Sequence, residues 1–258
     1  MSSAELKGLL DLAVRLSREA GDIALRYFKG SQVAERKADN SFVTKADLEV
    51  ERHLRERIAN VFPHDTILGE EEGETPGMSG RRWIIDPIDG TFSFVHGVPL
   101  YGVLIGLEIE NEPVLGVINV PALDELVFAA RGLGCFHNGE PARVSNVSTL
   151  SEALLLTSDF ISHDPRARSS RVLSSSVGAV RTWGDCYGYI LVATGRAEIM
   201  LDPVMNVWDC AALLPIVEEA GGTFTDWRGN RTIHGGSAIA TNGLLFEAVM
   251  KTVQESEC

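Results

Sequence analysis

What this chain of 258 residues lacks narrows its chemistry before any motif is considered. None of its four cysteines, Cys135, Cys186, Cys210 and Cys258, stands at C-x-x-C spacing, which excludes a zinc ribbon and a redox pair. They are expected as reduced thiols in a reducing, cytoplasmic compartment. No run is long and apolar enough to span a bilayer, and MSSAELKGLLDLAVRLSREAG at the amino terminus interrupts its apolar positions with charge, unlike a secretory signal. Basic residues are in deficit: Lys and Arg number 23 against 36 Asp and Glu, a formal net charge of −13. A nucleic-acid binder needs a basic face and a lipid-docking module needs a polybasic patch, so neither partner is expected. No histidine pair has metal-helix spacing. His53, His64, His137, His163 and His234 are therefore expected on the surface or in loops, and His96 alone lies near the site developed below.

Long linkers, repeats and low-complexity stretches are also missing, so the chain is expected as one compact unit or two closely packed subdomains. Leu6, Leu9, Leu10, Ala13, Leu16, Ala20, Ile23, Ala24 and Tyr27 recur at three- and four-residue steps, the stripe of an amphipathic helix. A second helix is predicted from about Lys45 to Val61, closed by Pro63, with Asp47 in its first turn. From Tyr101 to Ala130 the runs YGVLIGLEI, PVLGVINVP and ELVFAA predict an antiparallel sheet, with Asn111-Glu112 as the first hairpin turn. Beyond Leu150 the pattern alternates. ALLLTSD, AEIMLDP and SAIATNG predict strands; CYGYILVATG, WDCAALLPIVEEAGG and the carboxyl terminus predict helices, the second closed by Gly221-Gly222. A boundary near Ser145 separates an α+β subdomain, residues 1–145, from an α/β subdomain, residues 146–258.

WIIDPIDGTFSFVHG, Trp83 to Gly97, concentrates the chemistry. An apolar β-branched run stopping at Asp86-Pro87 predicts a buried strand whose ladder ends at the proline. Asp86 and Asp89 then sit at a strand mouth, and Gly90-Thr91 turn into an element whose first N–H groups seat an anion. Two carboxylates beside an anion seat repel that anion unless a cation lies between them, and this stretch holds neither Lys nor Arg. A divalent metal answers the need, and hard oxygen ligands select magnesium or manganese. Two further acidic groups stand out: Glu70, after the apolar pair Ile67-Leu68, and Asp209, at the start of a helix. Taken singly, the Glu70 run reads as a solvated loop and Asp209 as a helix cap.

Four segments together, VTKAD (Val43 to Asp47), GEE (Gly69 to Glu71), DPIDGT (Asp86 to Thr91) and WDCAALLPIVEEAGG (Trp208 to Gly222), resemble the inositol monophosphatase superfamily in order and spacing across nearly the whole chain. The resemblance implies an α/β fold, an αβαβα layered sandwich, usually as a homodimer, and a magnesium-dependent, lithium-sensitive phosphomonoesterase acting on a small phosphate ester. It makes Glu70, Asp86 and the Ile88 carbonyl ligands of one metal, Asp86, Asp89 and Asp209 ligands of a second, and Glu70 with Asp47 the support of a looser third. Gly90 and Thr91 would bind phosphate through N–H groups, and the Thr91 hydroxyl, linked to Asp47, would orient the attacking water.

Substrate choice points to the second half, where WGDCYGY (Trp183 to Tyr189) and DPVMNVWD (Asp202 to Asp209) look most like the histidinol-phosphate phosphatase branch. Histidinol phosphate carries an amine and an imidazole, which acidic residues would meet with charge-assisted hydrogen bonds. Asp185, Asp202 and Asn206 are the candidates, in that order. Each has a plainer role open to it: a helix cap for Asp185, a strand-end turn for Asp202, a loop position for Asn206. Phe92 departs from the branch, which often has Lys after DPIDGT, and keeps an inositol or broader sugar phosphate as the alternative substrate.

Overall fold

The computed structural model describes residues 1–30, 35–36, 42–160 and 164–256; Cys258 and His163 lie outside the described residues. The amphipathic first segment is α1 (Ser3–Tyr27), opened by a capping box in which the Ser2 N–H donates to Glu5 Oε2 at 2.7 Å. A short ribbon, β1 (Glu35–Arg36) with β2 (Phe42–Val43), leads into α2 (Lys45–Val61), whose bounds match the sequence pattern. Then come β3 (Thr66–Gly69), β4 (Gly73–Thr75), β5 (Arg81–Asp89), α3 (Thr91–Val95), β6 (Gly102–Ile109), β7 (Glu112–Val120), β8 (Glu125–Ala130), β9 (Gly134–His137) and β10 (Glu140–Ala142). These strands form an eight-stranded sheet in the order β10-β9-β8-β7-β6-β5-β3-β4, antiparallel except where β3 lies parallel to β5. The first hairpin turns one residue earlier than expected, on Glu110 and Asn111, both at positive φ (53° and 65°), the geometry that a two-residue turn needs to follow strand twist.

The second half contributes β11 (Leu154–Leu156), α4 (Ala167–Ser174), β12 (Ala179–Arg181), α5 (Asp185–Ala193), β13 (Ile199–Asp202), α6 (Val207–Ala211), α7 (Leu213–Glu219), β14 (Thr223–Thr225), β15 (Ala238–Thr241) and α8 (Phe246–Ser256). Its five-stranded sheet runs β12-β11-β13-β15-β14. The single helix expected over WDCAALLPIVEEAGG is two. Pro215 cannot donate to the carbonyl of Ala211, four residues earlier, and α6 ends there.

Strand periodicity of two sorts the apolar residues into three cores, and the cores define the layers. Trp83, Ile85, Val103, Ile105 and Val117 face α1 and α2. Ile84, Leu104, Ile118 and Val127 face the opposite way, onto α5, α6 and α7, and Leu156, Met200 and Ala240 reach the same layer from the second sheet. Leu155, Ile199, Leu201 and Ile239 face outward against α4 and α8. The order is therefore α1/α2, sheet, α5–α7, sheet, α4/α8, an α/β layered sandwich in which the middle helices start close to the end of β5.

Candidate active site

Asp86 shares its strand parity with Ile84 and so faces the middle layer. In a regular strand Asp89, three residues on, would face the other way. The chain avoids this with a bulge. Asp86 pairs with Leu104 and Asp89 with Gly102, so β5 carries one extra residue and Asp89 returns to the side of Asp86. Pro87 does not end the ladder, as the sequence suggested; it sits inside the bulge, where a missing N–H is tolerated.

Two more carboxylates arrive through helix capping. Thr44 is the N-cap of α2, and its N–H and hydroxyl donate to Asp47 Oδ2 at 2.8 and 2.6 Å. Asn206 is the N-cap of α6, and its N–H donates to Asp209 Oδ2 at 2.6 Å. Asp209 is thus the third residue of its helix rather than the cap itself. In each pair one oxygen is tied to the helix start and the other remains for the site. Asp47 Oδ1 is buried without a hydrogen-bond partner.

Oxygens of Asp86, Asp89 and Asp209 all lie within 4.8 Å of one another. Among the described residues no Lys or Arg forms an ion pair with these three or with Asp47. Desolvation therefore dominates their titration. It raises Asp86 and Asp89 well above the usual carboxylate range, helped at Asp86 by the charge of Glu70 and at Asp89 by that of Asp185. It raises Asp209 to about 7 against the lowering effect of the Asn206 N–H, and Asp47 to about 6 against its bonds from Thr44. Glu70, in the turn after β3, adds repulsion at Asp47, Asp86 and Asp209. An all-oxygen cluster with mutual repulsion and an orphaned buried oxygen fits a hard divalent cation.

Gly90, at φ 82°, is the N-cap of α3 and supplies no side-chain cap to that helix. The Thr91 hydroxyl donates to the Ile88 carbonyl at 2.9 Å, and the Ile88 N–H donates to Asp86 Oδ1 at 3.1 Å. The Thr91 hydroxyl thus donates to Ile88 rather than to Asp47, whose Oδ1 has no hydrogen-bond partner. From the far side, the Cys186 N–H at the start of α5 donates to Asp89 Oδ2. Sequence reasoning missed this bond, which joins residues 97 apart.

Of the substrate candidates, Asp185 opens α5 at φ 53°, with its N–H on the Ser158 hydroxyl at 2.8 Å. Its Oδ2 would lie 3.1 Å from a Cβ placed on Gly90, and desolvation and Asp202 raise its carboxyl to about 7. Asp202 is the second substrate candidate. It is buried at the end of β13, and its two oxygens accept from the Ser158 N–H at 3.0 Å and the Tyr189 hydroxyl at 2.9 Å, so it braces α5 from within. Asn206 caps α6. His96 stacks on the exposed Phe92 with ring centroids 4.3 Å apart. Cys135, Cys186 and Cys210 are free and buried.

With this geometry in hand, the chain matches the model of the inositol monophosphatase family over residues 5–257. It is 48% identical to a histidinol-phosphatase of Chlorobaculum parvum, covering 90% of this chain and 91% of that one. It is 41% identical to a histidinol-phosphatase of Mycobacterium tuberculosis, over 93% and 96%. The crystal structure of the extragenic suppressor protein suhB from Bartonella henselae superposes with a TM-score of 0.91 at 29% identity, over 96% and 99%. The acidic cluster at the end of β5 thus lies in a fold and a sequence that agree throughout, and the chain belongs to the inositol monophosphatase family.

Proposed function

We propose that this protein is a magnesium-dependent phosphomonoesterase that hydrolyses histidinol phosphate by direct attack of water. The observation that carries the proposal is the gathering of Asp86, Asp89 and Asp209 beside Glu70 and Asp47, close to the Gly90-Thr91 turn. Glu70, Asp86 and the Ile88 carbonyl would hold one ion, and Asp86, Asp89 and Asp209 a second. Magnesium bound there supplies the positive charge that makes water nucleophilic near neutral pH and offsets charge on the phosphate.

The protein's own groups do the rest. The Thr91 hydroxyl gives its proton to Ile88 and is left to act as an acceptor; Asp47 Oδ1 is a second acceptor. Two acceptors on one water fix its protons and leave a lone pair for phosphorus. Backbone N–H groups at Gly90 and Thr91 receive phosphate oxygens. Attack by water on phosphorus leaves no covalent phosphoenzyme. A homodimer and manganese substitution are part of the same proposal.

The substrate assignment rests on the two histidinol-phosphatases at 48% and 41% identity and on Asp185 beside the turn. One observation favours an inositol or sugar phosphate instead: Phe92 exposes a ring where the histidinol branch often has a cation. A panel of histidinol phosphate, inositol 1-phosphate and fructose 1,6-bisphosphate, with magnesium and with EDTA, decides. The expected result is highest kcat/KM for histidinol phosphate and no phosphate release in EDTA. Release in EDTA would sink the metal mechanism, and preference for inositol 1-phosphate would sink the substrate.

A further inference from the structure

One face of α2 carries Asp47, Glu51 and Arg55 at steps of four, one above the other. Asp47 stands beside the acidic cluster and adds its charge at Asp86, whereas Glu51 is a fully buried carboxylate outside it. Its bonds go to the turn after β3. Oε2 accepts from the Glu71 N–H at 2.8 Å and Oε1 from the Glu72 N–H at 2.9 Å. The Arg55 Nε donates to Oε1 at 2.8 Å, and its guanidinium continues to the Thr75 hydroxyl at 3.2 Å and the Gly73 carbonyl.

Gly69, which precedes the turn, leaves room for this. A Cβ there would overlap Glu51 Oε1 well inside van der Waals contact. Glu70 is therefore held on both sides: its own N–H donates to the Ile85 carbonyl at 3.3 Å, next to Asp86, and the two residues after it hang from Glu51. A buried charge is costly unless every oxygen is engaged, and here the engaged partners are the N–H groups that fix the Glu70 turn.

We infer that Glu51 is a positioning residue that holds Glu70 at its metal-binding place and ties it, through one helix, to Asp47. The inference rests on the reading of Glu70 as a metal ligand and adds a residue that neither the motifs nor the acidic cluster includes. Glu51→Gln keeps the volume, but its amide nitrogen cannot accept, so a turn N–H or Arg55 loses its partner.

The test is Mn²⁺ binding to the full chain, read from the signal of free Mn²⁺ by electron paramagnetic resonance, with circular dichroism to confirm folding. Glu51→Gln, Glu70→Gln and the double variant complete a cycle. The expected result is a loss of Mn²⁺ affinity of about 10- to 100-fold for Glu51→Gln, the range for a group that orients a ligand. The double variant should bind no more weakly than Glu70→Gln alone, because Glu51 acts only through Glu70. Additive losses, or wild-type affinity in folded Glu51→Gln, overturn the inference while leaving Glu70 a ligand. Wild-type affinity in Glu70→Gln overturns both. Gly69→Ala reaches the same contact from the other side without altering a charge; folded protein with wild-type Mn²⁺ affinity would also refute the clamp.

Discussion

Replacing Asp185 by Asn separates substrate recognition from metal chemistry, because that side chain stands between the two. Its Oδ2 would lie 3.1 Å from a Cβ on Gly90, at the phosphate turn, and its charge raises the carboxyl of Asp89. If the carboxylate meets the ammonium or imidazolium of histidinol phosphate, Asn removes a charge-assisted bond worth about 1.5–3 kcal/mol. That is about 10- to 150-fold in kcat/KM. The same substitution weakens the negative field at Asp89 and so loosens the metal for every substrate alike. Measuring kcat/KM at saturating magnesium, for histidinol phosphate and for glycerol 2-phosphate, lets the common effect cancel in the ratio. The ratio should fall by about 10-fold or more. Asn keeps the side-chain volume, and the Asp185 N–H retains its bond to Ser158, so α5 should stay in place. Equal losses on both substrates would refute the reasoning and leave Asp185 a support for Asp89.

Asp89→Asn should lower phosphate release more than about 100-fold, the scale for removing a group that stabilises transition-state charge. It should leave the metal-free protein as stable as wild type or more so, since it deletes a desolvated, repelled carboxylate; wild-type turnover would contradict the metal-ligand role. Magnesium should raise the melting temperature more at pH 8 than at pH 5. Asp47 at about 6, and Asp185 and Asp209 at about 7, are raised in the folded, metal-free state, so their contribution to stability is complete below pH 4 and lost as pH rises through 6 to 7. At 100 times its dissociation constant the ion adds about 2.7 kcal/mol, roughly 5–10 °C in thermal melts at this size, and an equal or larger gain at pH 5 would contradict the sign. Gly116→Ala should destabilise by about 1–3 kcal/mol and weaken magnesium binding together. Its Cβ falls on the Ala212 carbonyl, and across the strand pair a Cβ on Gly106 would lie 2.6 Å from that of Ala211, at the helix junction that carries Asp209; unchanged melting would show that the junction yields freely.

What the sequence made legible follows the range of the interactions. The bounds of α2 and the place of Asp47 are decided by groups three residues apart, and Thr44 to Asp47 could be read directly as a cap. Strand parity, which needs only neighbours along the chain, separates the two faces of β5 to β7, but the three cores those faces join are set by the layers around them. Asp89 is the instructive exception. Parity alone sends it to the face opposite Asp86, and only the pairing of β5 with β6 reveals the extra residue that brings the two carboxylates together. The partners of Asp202 were hidden for a related reason: its acidity suggested a cationic ligand, while the groups that hold its two oxygens, Ser158 and Tyr189, lie 44 and 13 residues away. Glu51 was invisible because its bonds reach residues 20 and 21 positions on, across a turn whose glutamates read as solvated loop. The acidic chemistry was thus written in local motifs, while the contacts that aim each carboxylate were written in sheet register and in pairings between distant segments. A search for such positioning groups in related chains should begin with buried acids one helical turn from a motif acid, as Glu51 stands to Asp47.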